Sequence, residues 1–239
     1  MGLPVFYSPA ISENDMSHVL DEETSKHIVQ VLRMQKNESL KLTNGNGHMF
    51  LATITDNHKK AVVIEVTEVS VAVPPAKISI GISLVKNVQR FEWFLEKAVE
   101  IGISEIFPLI CARTEKQQFR APRLKGIITS AMLQSQQAWL PFLHEPQKFQ
   151  QFISRSRESQ CFIAHCLDEQ SRSSLPQYAP FINPLMLIGP EGDFTHEEIT
   201  LALNKGYLPV TLGETRLRTE TAGIVAVTLL NNSLADSSL

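Results

Sequence analysis

Two glycine-punctuated turns toward the C-terminal end limit most strongly what this chain can fold into. The first spans residues 187–194 (Leu-Ile-Gly-Pro-Glu-Gly-Asp-Phe) and the second residues 212–222 (Leu-Gly-Glu-Thr-Arg-Leu-Arg-Thr-Glu-Thr-Ala). Each joins an apolar, strand-like run to a helix-like run. Glycine permits positive φ and a close approach of backbone to ligand, and a helix start supplies unpaired N–H groups. The two turns therefore predict a ligand site built largely from backbone and suited to a flat heterocycle.

The C-terminal two thirds of the chain alternate between strand-like and helix-like segments. A capping box at Thr195–Glu198 marks one helix start, and Gly102 and Gly206 are placed to end helices. This alternation predicts an α/β fold with a parallel sheet covered on both faces. The predicted strands are 78–85, 106–110, 161–166, 185–188 and 207–212, and the predicted helices are 89–101, 123–139, 147–157, 195–204 and 220–231.

The first 72 residues have a different pattern, with β-branched and alternating segments around one helix at about 22–33. The sequence Asn-Gly-Asn-Gly at 44–47 predicts a hairpin, because Asn and Gly accept the positive φ of tight turns. Together these segments predict a small antiparallel barrel or sheet. The stiff connector Val73–Ala76 separates it from the rest, so the predicted domains are residues 1–72 and 73–239.

Composition indicates a globular protein large enough for real cores, since 43% of its 239 residues are hydrophobic. The sequence has neither an apolar run of about 20 residues nor a secretory leader pattern, which predicts a cytoplasmic protein without membrane contact. The three cysteines are too widely spaced for a disulfide framework. Cys161, His165 and Cys166 resemble metal ligands, but no second ligand pair accompanies them. Core packing in a buried strand is therefore favoured, and no metal is predicted.

Charge is unevenly distributed along the chain. Residues 86–125 contain eight basic and five acidic side chains, which makes this segment +3, whereas the whole chain is −3 and the remainder therefore −6. The excess permits a local phosphate-binding face, with solvated helix faces as the alternative. Neither GxxxxGK[ST] nor a GxGxxG after the first strand of the α/β part is present, which disfavours ATP, GTP and NAD as ligands.

The motifs in the two turns resemble a known family. Gly189–Gly192 with the later Glu197–Ile199, and Leu212-Gly213 with the later Leu217–Ala222, closely resemble the RsmE family of small-subunit ribosomal RNA uridine-N3 methyltransferases. The resemblance covers nearly the whole chain. Further similar segments are His27 with Val31–Met34, Lys97–Gly102, Arg113–Lys116 and Ala131–Gln137.

The resemblance implies a PUA-like β-barrel that binds RNA, followed by a SPOUT methyltransferase domain whose C-terminal chain forms a trefoil knot. It also implies an S-adenosylmethionine cofactor, a homodimer, and 16S ribosomal RNA of the small ribosomal subunit, in its decoding region, as substrate and partner. The cofactor-binding residues that it implies are Leu187, Gly189, Pro190, Glu191, Gly192, Leu212, Gly213, Leu217, Arg218, Thr219 and Ala222.

Two residues of the second turn are candidates for catalysis. Methylation at N3 requires an unpaired uracil and stabilisation of its developing anion, which we assign to Arg218. Glu220 is a candidate proton acceptor, or the partner that orients Arg218. The alternative is that both simply cap and pair at a helix start. Glu191 has a structural alternative too, in which its carboxylate binds loop N–H groups.

Basic residues spread along the chain are candidates for RNA contact, because Lys and Arg bind phosphates without reading sequence. Lys97 has an alternative role in pairing with Glu96 or Glu100, and His27 one as a packed helix residue. The predicted RNA-binding residues are Arg33, Lys86, Lys97, Arg113 and Lys116.

The chain departs from the family pattern at two places. Asp193 stands where many members have a glycine directly after Gly192. The arginine that often precedes the first aromatic pair is missing before Phe6-Tyr7. A carboxylate near a helix N-terminus is favourable, so Asp193 is expected to be tolerated. Two alternative functions stay open, namely methyl transfer to another RNA such as transfer RNA, and a non-catalytic role as an RNA-binding ribosome assembly factor.

Overall fold

The protein is described by a computed structural model that covers residues 2–155, 160–167 and 172–235. Its chain divides into two compact units. The first unit contains Met1–Pro74 together with Met132–Leu140, and the second contains Pro75–Ala131 together with Pro141–Leu239. Each unit has its own hydrophobic core.

The first unit is a small β structure. Its sheet has the strand order β1-β3-β4-β5-β2, in which only the β1–β3 pair is parallel. A hydrogen bond of 2.9 Å between Ser8, which directly follows β1, and His18 in β2 links the two edges of this sheet. The elements are β1 (Val5–Tyr7), β2 (Ser17–Val19), α1 (Glu22–Lys26) followed by a π-helical turn (His27–Val31), β3 (Ser39–Thr43), β4 (His48–Asp56) and β5 (Val63–Val71).

The hairpin predicted between β3 and β4 is confirmed, and it holds a distant segment of the chain. Gly47 N donates to Ala138 O, and Leu140 N donates to Gly45 O, both at 2.9 Å. A Cβ at Gly47 would lie 2.4 Å from the Trp139 ring, so only glycine allows this close approach. Residues 132–140 therefore belong with the first unit.

The second unit is a parallel sheet with helices, as predicted. Within the described residues every strand pair of this sheet is parallel, in the order β11-β13-β10-β12-β6-β7-β8, with β9 also paired to β7. The strands are β6 (Ser79–Ser83), β7 (Glu105–Ile110), β8 (Phe142–Leu143), β9 (Gln147–Lys148), β10 (Cys161–Ala164), β11 (Ser173–Ser174), β12 (Leu185–Ile188) and β13 (Leu208–Thr211).

The helix signals read from the sequence are present in the second unit. The capping box at Thr195 and Glu198 is complete, and Gly102 ends a helix with φ 108°. Gly223 allows the last helix to pack closely, since a Cβ there would lie 2.6 Å from the Phe94 ring. The helices are α2 (Val88–Ile101), α3 (Ala121–Gln134), α4 (Phe149–Ile153), α5 (His196–Asn204) and α6 (Thr219–Ala235).

Several predicted elements have different bounds in the structure, and helix α3, helix α4 and strand β10 are three of them. Helix α3 ends at Gln134 rather than at 139, because Gln136 has φ 55° and the following residues bond to the β3–β4 hairpin. Helix α4 is shorter than the predicted 147–157, because its first two residues form β9 instead, and position 157 lies outside the described residues. Strand β10 ends at Ala164 rather than at Cys166. Among the described residues no helix is long and apolar enough to cross a membrane.

Candidate functional site

The carboxyl ends of three neighbouring strands enclose a cavity of about 580 Å³. The strands are β10, β12 and β13, and the start of α6 completes the lining. Loops at the carboxyl ends of parallel strands are where ligands bind in open α/β sheets, and the volume is typical of a small-molecule site. The cavity thus lies at both predicted glycine turns.

The loop between β12 and α5, residues 189–195 and here named the first loop, is tightly packed around its first glycine. A Cβ at Gly189 would lie 3.1 Å from both the backbone N and the ring of Phe194. The Gly189 carbonyl accepts a 2.9 Å hydrogen bond from Thr219 Oγ1 at the start of α6. Close backbone packing therefore joins the two turns directly.

The conformation and bonds of Asp193 show how an aspartate is tolerated where many family members have glycine. Its φ is 63°, a conformation that favours glycine and that Asn and Asp tolerate best among other residues. Its carboxylate accepts hydrogen bonds of 2.7 Å from the backbone N of Phe194 and from that of Cys166. Hydrogen bonds to an ionised acceptor are stronger than neutral ones, so they offset the backbone strain. Asp193 thereby ties the first loop to the end of β10.

Two further glutamates anchor the surroundings of the first loop. Glu191 Oε1 accepts a hydrogen bond of 2.9 Å from the backbone N–H of Lys86. This bond corresponds to the structural alternative that the sequence offered for Glu191. Glu191 also lines the cavity. The buried Glu198 accepts from Ala112 N at 2.8 Å, in addition to closing the capping box of α5.

The loop between β13 and α6, residues 212–218, is here named the second loop. It makes fewer side-chain hydrogen bonds with the rest of the protein than the first loop does. Gly213 has φ 149°, and its carbonyl accepts from Thr211 Oγ1 at 2.7 Å. The side chains of Arg216 and Arg218 are exposed, line the cavity, and have no hydrogen bond or ion pair within the described part of the chain. The second loop therefore presents two guanidinium groups that are available to a ligand.

Glu220 is not in the cavity lining. It is 7% exposed, and its Oε1 lies 3.6 Å from Nε of Arg90 on α2. Its Oε2 is buried without a hydrogen-bond partner among the described residues. The ion pair of Glu220 is thus with Arg90, and the structure does not pair it with Arg218.

The cavity lining contains most of the cofactor-binding residues predicted from the sequence. Leu187 is fully buried in the core, because successive strand residues point to opposite faces of the sheet, and Ile188 lines the cavity in its place. Gly192 packs against the side chain of Arg113. The predicted residues that do line the cavity are Gly189, Pro190, Glu191, Leu212, Gly213, Leu217, Arg218, Thr219 and Ala222.

The end of β10 supplies a part of the lining that the sequence interpretation missed. His165 and Cys166 line the cavity. His165 is buried, as the core-packing interpretation of the segment expects, whereas Cys166 is exposed, so that interpretation is wrong at Cys166. Burial and the charge of Asp193 raise the pKa of the Cys166 thiol. The position of these residues at the end of a predicted strand is the sequence signal that would have pointed to them. Among the described residues, no group of three or more His, Cys, Asp or Glu side chains is placed to hold a metal ion.

The predicted RNA-binding cations differ in how they are already bonded. The hydrogen bond and ion pair with Glu115, at 2.7 Å, raise the pKa of Lys86. Lys97 pairs with Glu96 and Glu100 at 2.8 and 3.0 Å, which is the alternative role considered for it.

The other predicted cations lie in different settings. Arg113 donates to the carbonyls of Gly192 at 2.6 Å and Phe194 at 3.4 Å, and so supports the first loop. Lys116 and, in the first unit, Arg33 are exposed and have no side-chain partner among the described residues. Among the predicted cations of the second unit, Lys116 is therefore the one whose ammonium group has no side-chain partner in the described residues.

Comparison with known proteins assigns both parts of the chain. Residues 73–231 match the RNA methyltransferase domain family, and residues 20–67 match the RNA methyltransferase PUA domain family. Ribosomal RNA small subunit methyltransferase E of Synechocystis is 31% identical over 212 residues, which are 86% of this chain and 69% of that protein.

Solved structures agree with this assignment. A probable rRNA-methyltransferase from Porphyromonas gingivalis is 36% identical, with a TM-score of 0.91 over 98% of this chain and 100% of that one. Ribosomal RNA small subunit methyltransferase E of Neisseria gonorrhoeae, bound to S-adenosylmethionine, is 26% identical with a TM-score of 0.86 over 97% of this chain and 98% of that one. The predicted fold class is confirmed, while the trefoil path of the C-terminal chain stays a prediction.

Proposed function

The chain belongs to the ribosomal RNA small subunit methyltransferase E family, and from this premise we propose that it methylates N3 of one uridine in the decoding region of 16S ribosomal RNA. S-adenosylmethionine, the cofactor of this family, is the methyl donor. The observation that carries the proposal is the cavity at the strand ends, where the Arg218 guanidinium has no partner in the described part of the chain.

The residues of the cavity fit this cofactor. S-adenosylmethionine has a flat adenine, ribose hydroxyls, a methionine tail with both charges, and a sulfonium that supplies an activated methyl group when the cofactor is bound. The cavity of about 580 Å³ offers glycine backbone for close approach, carboxylates and arginines. The proposed cofactor-contacting residues are those predicted ones that line the cavity, with Ile188 replacing Leu187.

The chain's own contribution to the reaction is positioning and charge stabilisation. Uracil must leave its base pair before N3 can reach a methyl group. We assign to Arg218 the stabilisation of the negative charge that develops on uracil, because an unpaired guanidinium is already placed and needs no reorganisation. Glu220 is outside the lining, so its proposed role is to position the first turn of α6 through its ion pair with Arg90.

Substrate binding is assigned to both units. The first unit is proposed to be the RNA-binding module, with Arg33 as its phosphate contact. The proposed contacts in the second unit are ranked by the bonds that each cation already makes within the protein. Lys116, which has no such bond among the described residues, comes first, followed by Arg113, Lys86 and Lys97. We also propose that the protein acts as a homodimer in the cytoplasm, where its proposed substrate is found.

The test is to map the modified nucleotide. A methyl on N3 blocks the pairing edge, so reverse transcription of 16S ribosomal RNA from normal cells should stop at one site. The stop should vanish when the gene is deleted, return with the wild-type gene, and stay absent with Arg218→Ala. A stop that persists in the deletion strain would show that this protein does not make the modification.

Two assays separate this function from its alternatives. Labelled methyl groups should enter purified small subunits and should not enter bulk transfer RNA, and the product should be 3-methyluridine. The reverse preference would assign the protein to another RNA. Calorimetry that detects no S-adenosylmethionine binding would instead support a non-catalytic assembly factor.

A further inference from the structure

His165, at the end of β10, is a buried polar side chain that the protein does not use. The residue is 5% exposed, and neither ring nitrogen has a hydrogen-bond partner among the described residues. An imidazole always has a donor or an acceptor on each nitrogen, and burying such a group without a partner is unfavourable. A ligand that supplies the missing partners would remove this penalty.

The backbone around His165 is fixed on both sides. Its carbonyl accepts a hydrogen bond from the guanidinium of Arg172, and the N–H of the next residue, Cys166, donates to Asp193 at 2.7 Å. The bond to Asp193 holds the end of β10 against the first loop. The residue therefore has a set backbone position at the cavity wall. Both ring nitrogens are buried in the ligand-free protein, so contact with a ligand requires the imidazole to turn toward the cavity.

The chemistry of the ring selects the part of a ligand that it can bind. Burial first, and the nearby charge of Arg172 second, lower the pKa of His165 below its ordinary value of 6.5, while Asp193 opposes this shift. The ring is therefore neutral at pH 7, with one donor and one acceptor. Such a pair matches a neutral group that both donates and accepts, such as a ribose hydroxyl or an adenine edge, better than it matches a sulfonium or a carboxylate.

We propose that His165 is a cofactor-binding residue that hydrogen-bonds the neutral adenosine part of S-adenosylmethionine from the end of β10. The inference rests on the proposed function, because it takes this cavity as the cofactor site. It adds a side-chain contact to a site that the two glycine turns had predicted largely from backbone.

The test measures cofactor binding and the stability of the ligand-free protein in the same variants. His165→Phe keeps a buried ring and removes both polar nitrogens, so the dissociation constant for S-adenosylmethionine should rise about tenfold, as expected for one to two neutral hydrogen bonds. The same variant should melt at an equal or higher temperature without ligand, because it no longer buries an unpaired polar group. His165→Gln restores a donor and an acceptor and should recover part of the affinity.

Two control variants make the result decisive. His196→Phe introduces the same change at an exposed position outside the cavity and should leave affinity unchanged. Ala222→Leu fills the cavity from α6 and should weaken binding at least as much as His165→Phe. If Ala222→Leu binds like wild type, the cavity is not the cofactor site and the proposed site is wrong. If Ala222→Leu loses binding while His165→Phe binds like wild type, only the role of His165 is refuted.

Discussion

The two loops that form the cavity are built on opposite principles. In the first loop several polar groups are bonded within the protein: Glu191 and Asp193 accept from backbone N–H groups of other segments, and the carbonyls of Gly189 and Gly192 accept from side chains. In the second loop Gly213 is bonded by its neighbour Thr211.

The arginines of the second loop complete this contrast. Arg216 and Arg218 line the cavity without a partner among the described residues. The first loop is therefore held in place by hydrogen bonds within the protein, and the second presents unpaired positive charge to a ligand. Substitutions in the first loop should cost stability, whereas those in the second should cost binding or turnover.

The sharpest test of the comparison is Arg218→Ala. If this guanidinium stabilises charge on uracil, kcat should fall by about 100- to 1000-fold, as is typical for the loss of one such donor. The melting temperature should hardly change, since no described residue depends on Arg218 for a side-chain contact. Arg216→Ala, in the same loop, is the matched control and should reduce kcat much less. Equal kcat in the two variants would remove Arg218 from catalysis.

The first loop should respond in the opposite way at Asp193. Asp193→Ala loses two charge-assisted hydrogen bonds and keeps an unfavourable positive φ, so the free energy of unfolding should fall by about 2–4 kcal/mol. Asp193→Gly loses the same bonds but adopts positive φ freely, and should recover roughly 1 kcal/mol of this loss. Chemical denaturation of both variants measures the difference. If the alanine variant were as stable as the glycine variant, the backbone conformation would not be under strain.

Arg113 and Lys116 separate support of the first loop from binding of RNA. Arg113→Ala removes the donor to two first-loop carbonyls and should lower the free energy of unfolding by about 1–2 kcal/mol. Lys116→Ala should leave stability unchanged, weaken RNA binding and reduce the slope of log affinity against log salt by about 0.7–0.9, as for one phosphate contact. Loss of RNA affinity without loss of stability in Arg113→Ala would show that Arg113 belongs to the RNA interface instead.

The smallest effect is expected at Gly213, in the second loop. A Cβ there meets no atom within 4 Å, so Gly213→Ala introduces only backbone strain, about 1 kcal/mol. Gly206→Ala is a matched control, because Gly206 has φ 84° and equally open space but lies outside the cavity. Both should lose similar stability, and only Gly213→Ala should bind S-adenosylmethionine more weakly. Unchanged cofactor binding would show that the backbone of Gly213 does not shape the site.

Local sequence signals predicted the elements that depend on short-range chemistry. The capping box of α5, the glycine that ends α2 and the Asn-Gly hairpin of the first unit all formed as expected, because caps and turns are decided by a few adjacent residues. The early end of α3 was not predictable in this way. Its last predicted residues pair with a hairpin about 90 positions earlier, a contact that a local pattern does not record.

The same division applies to the site. Both turns fell at the cavity, since glycine placement reflects backbone requirements that the sequence displays directly. The sequence did not indicate that Asp193 reaches the end of β10 or that Glu220 pairs with Arg90. Such pairings depend on which strands become neighbours, and strand order is set by packing of the whole sheet.

The sequence by itself thus determined the α/β class, the two glycine turns and the family. Only the tertiary structure decided which polar groups of those turns form hydrogen bonds within the protein and which do not. It also brought His165 to the cavity wall without a partner. The physical reason is that a hydrogen bond needs two groups within about 3 Å, and this distance is fixed by the packing of strands and helices far apart in the chain.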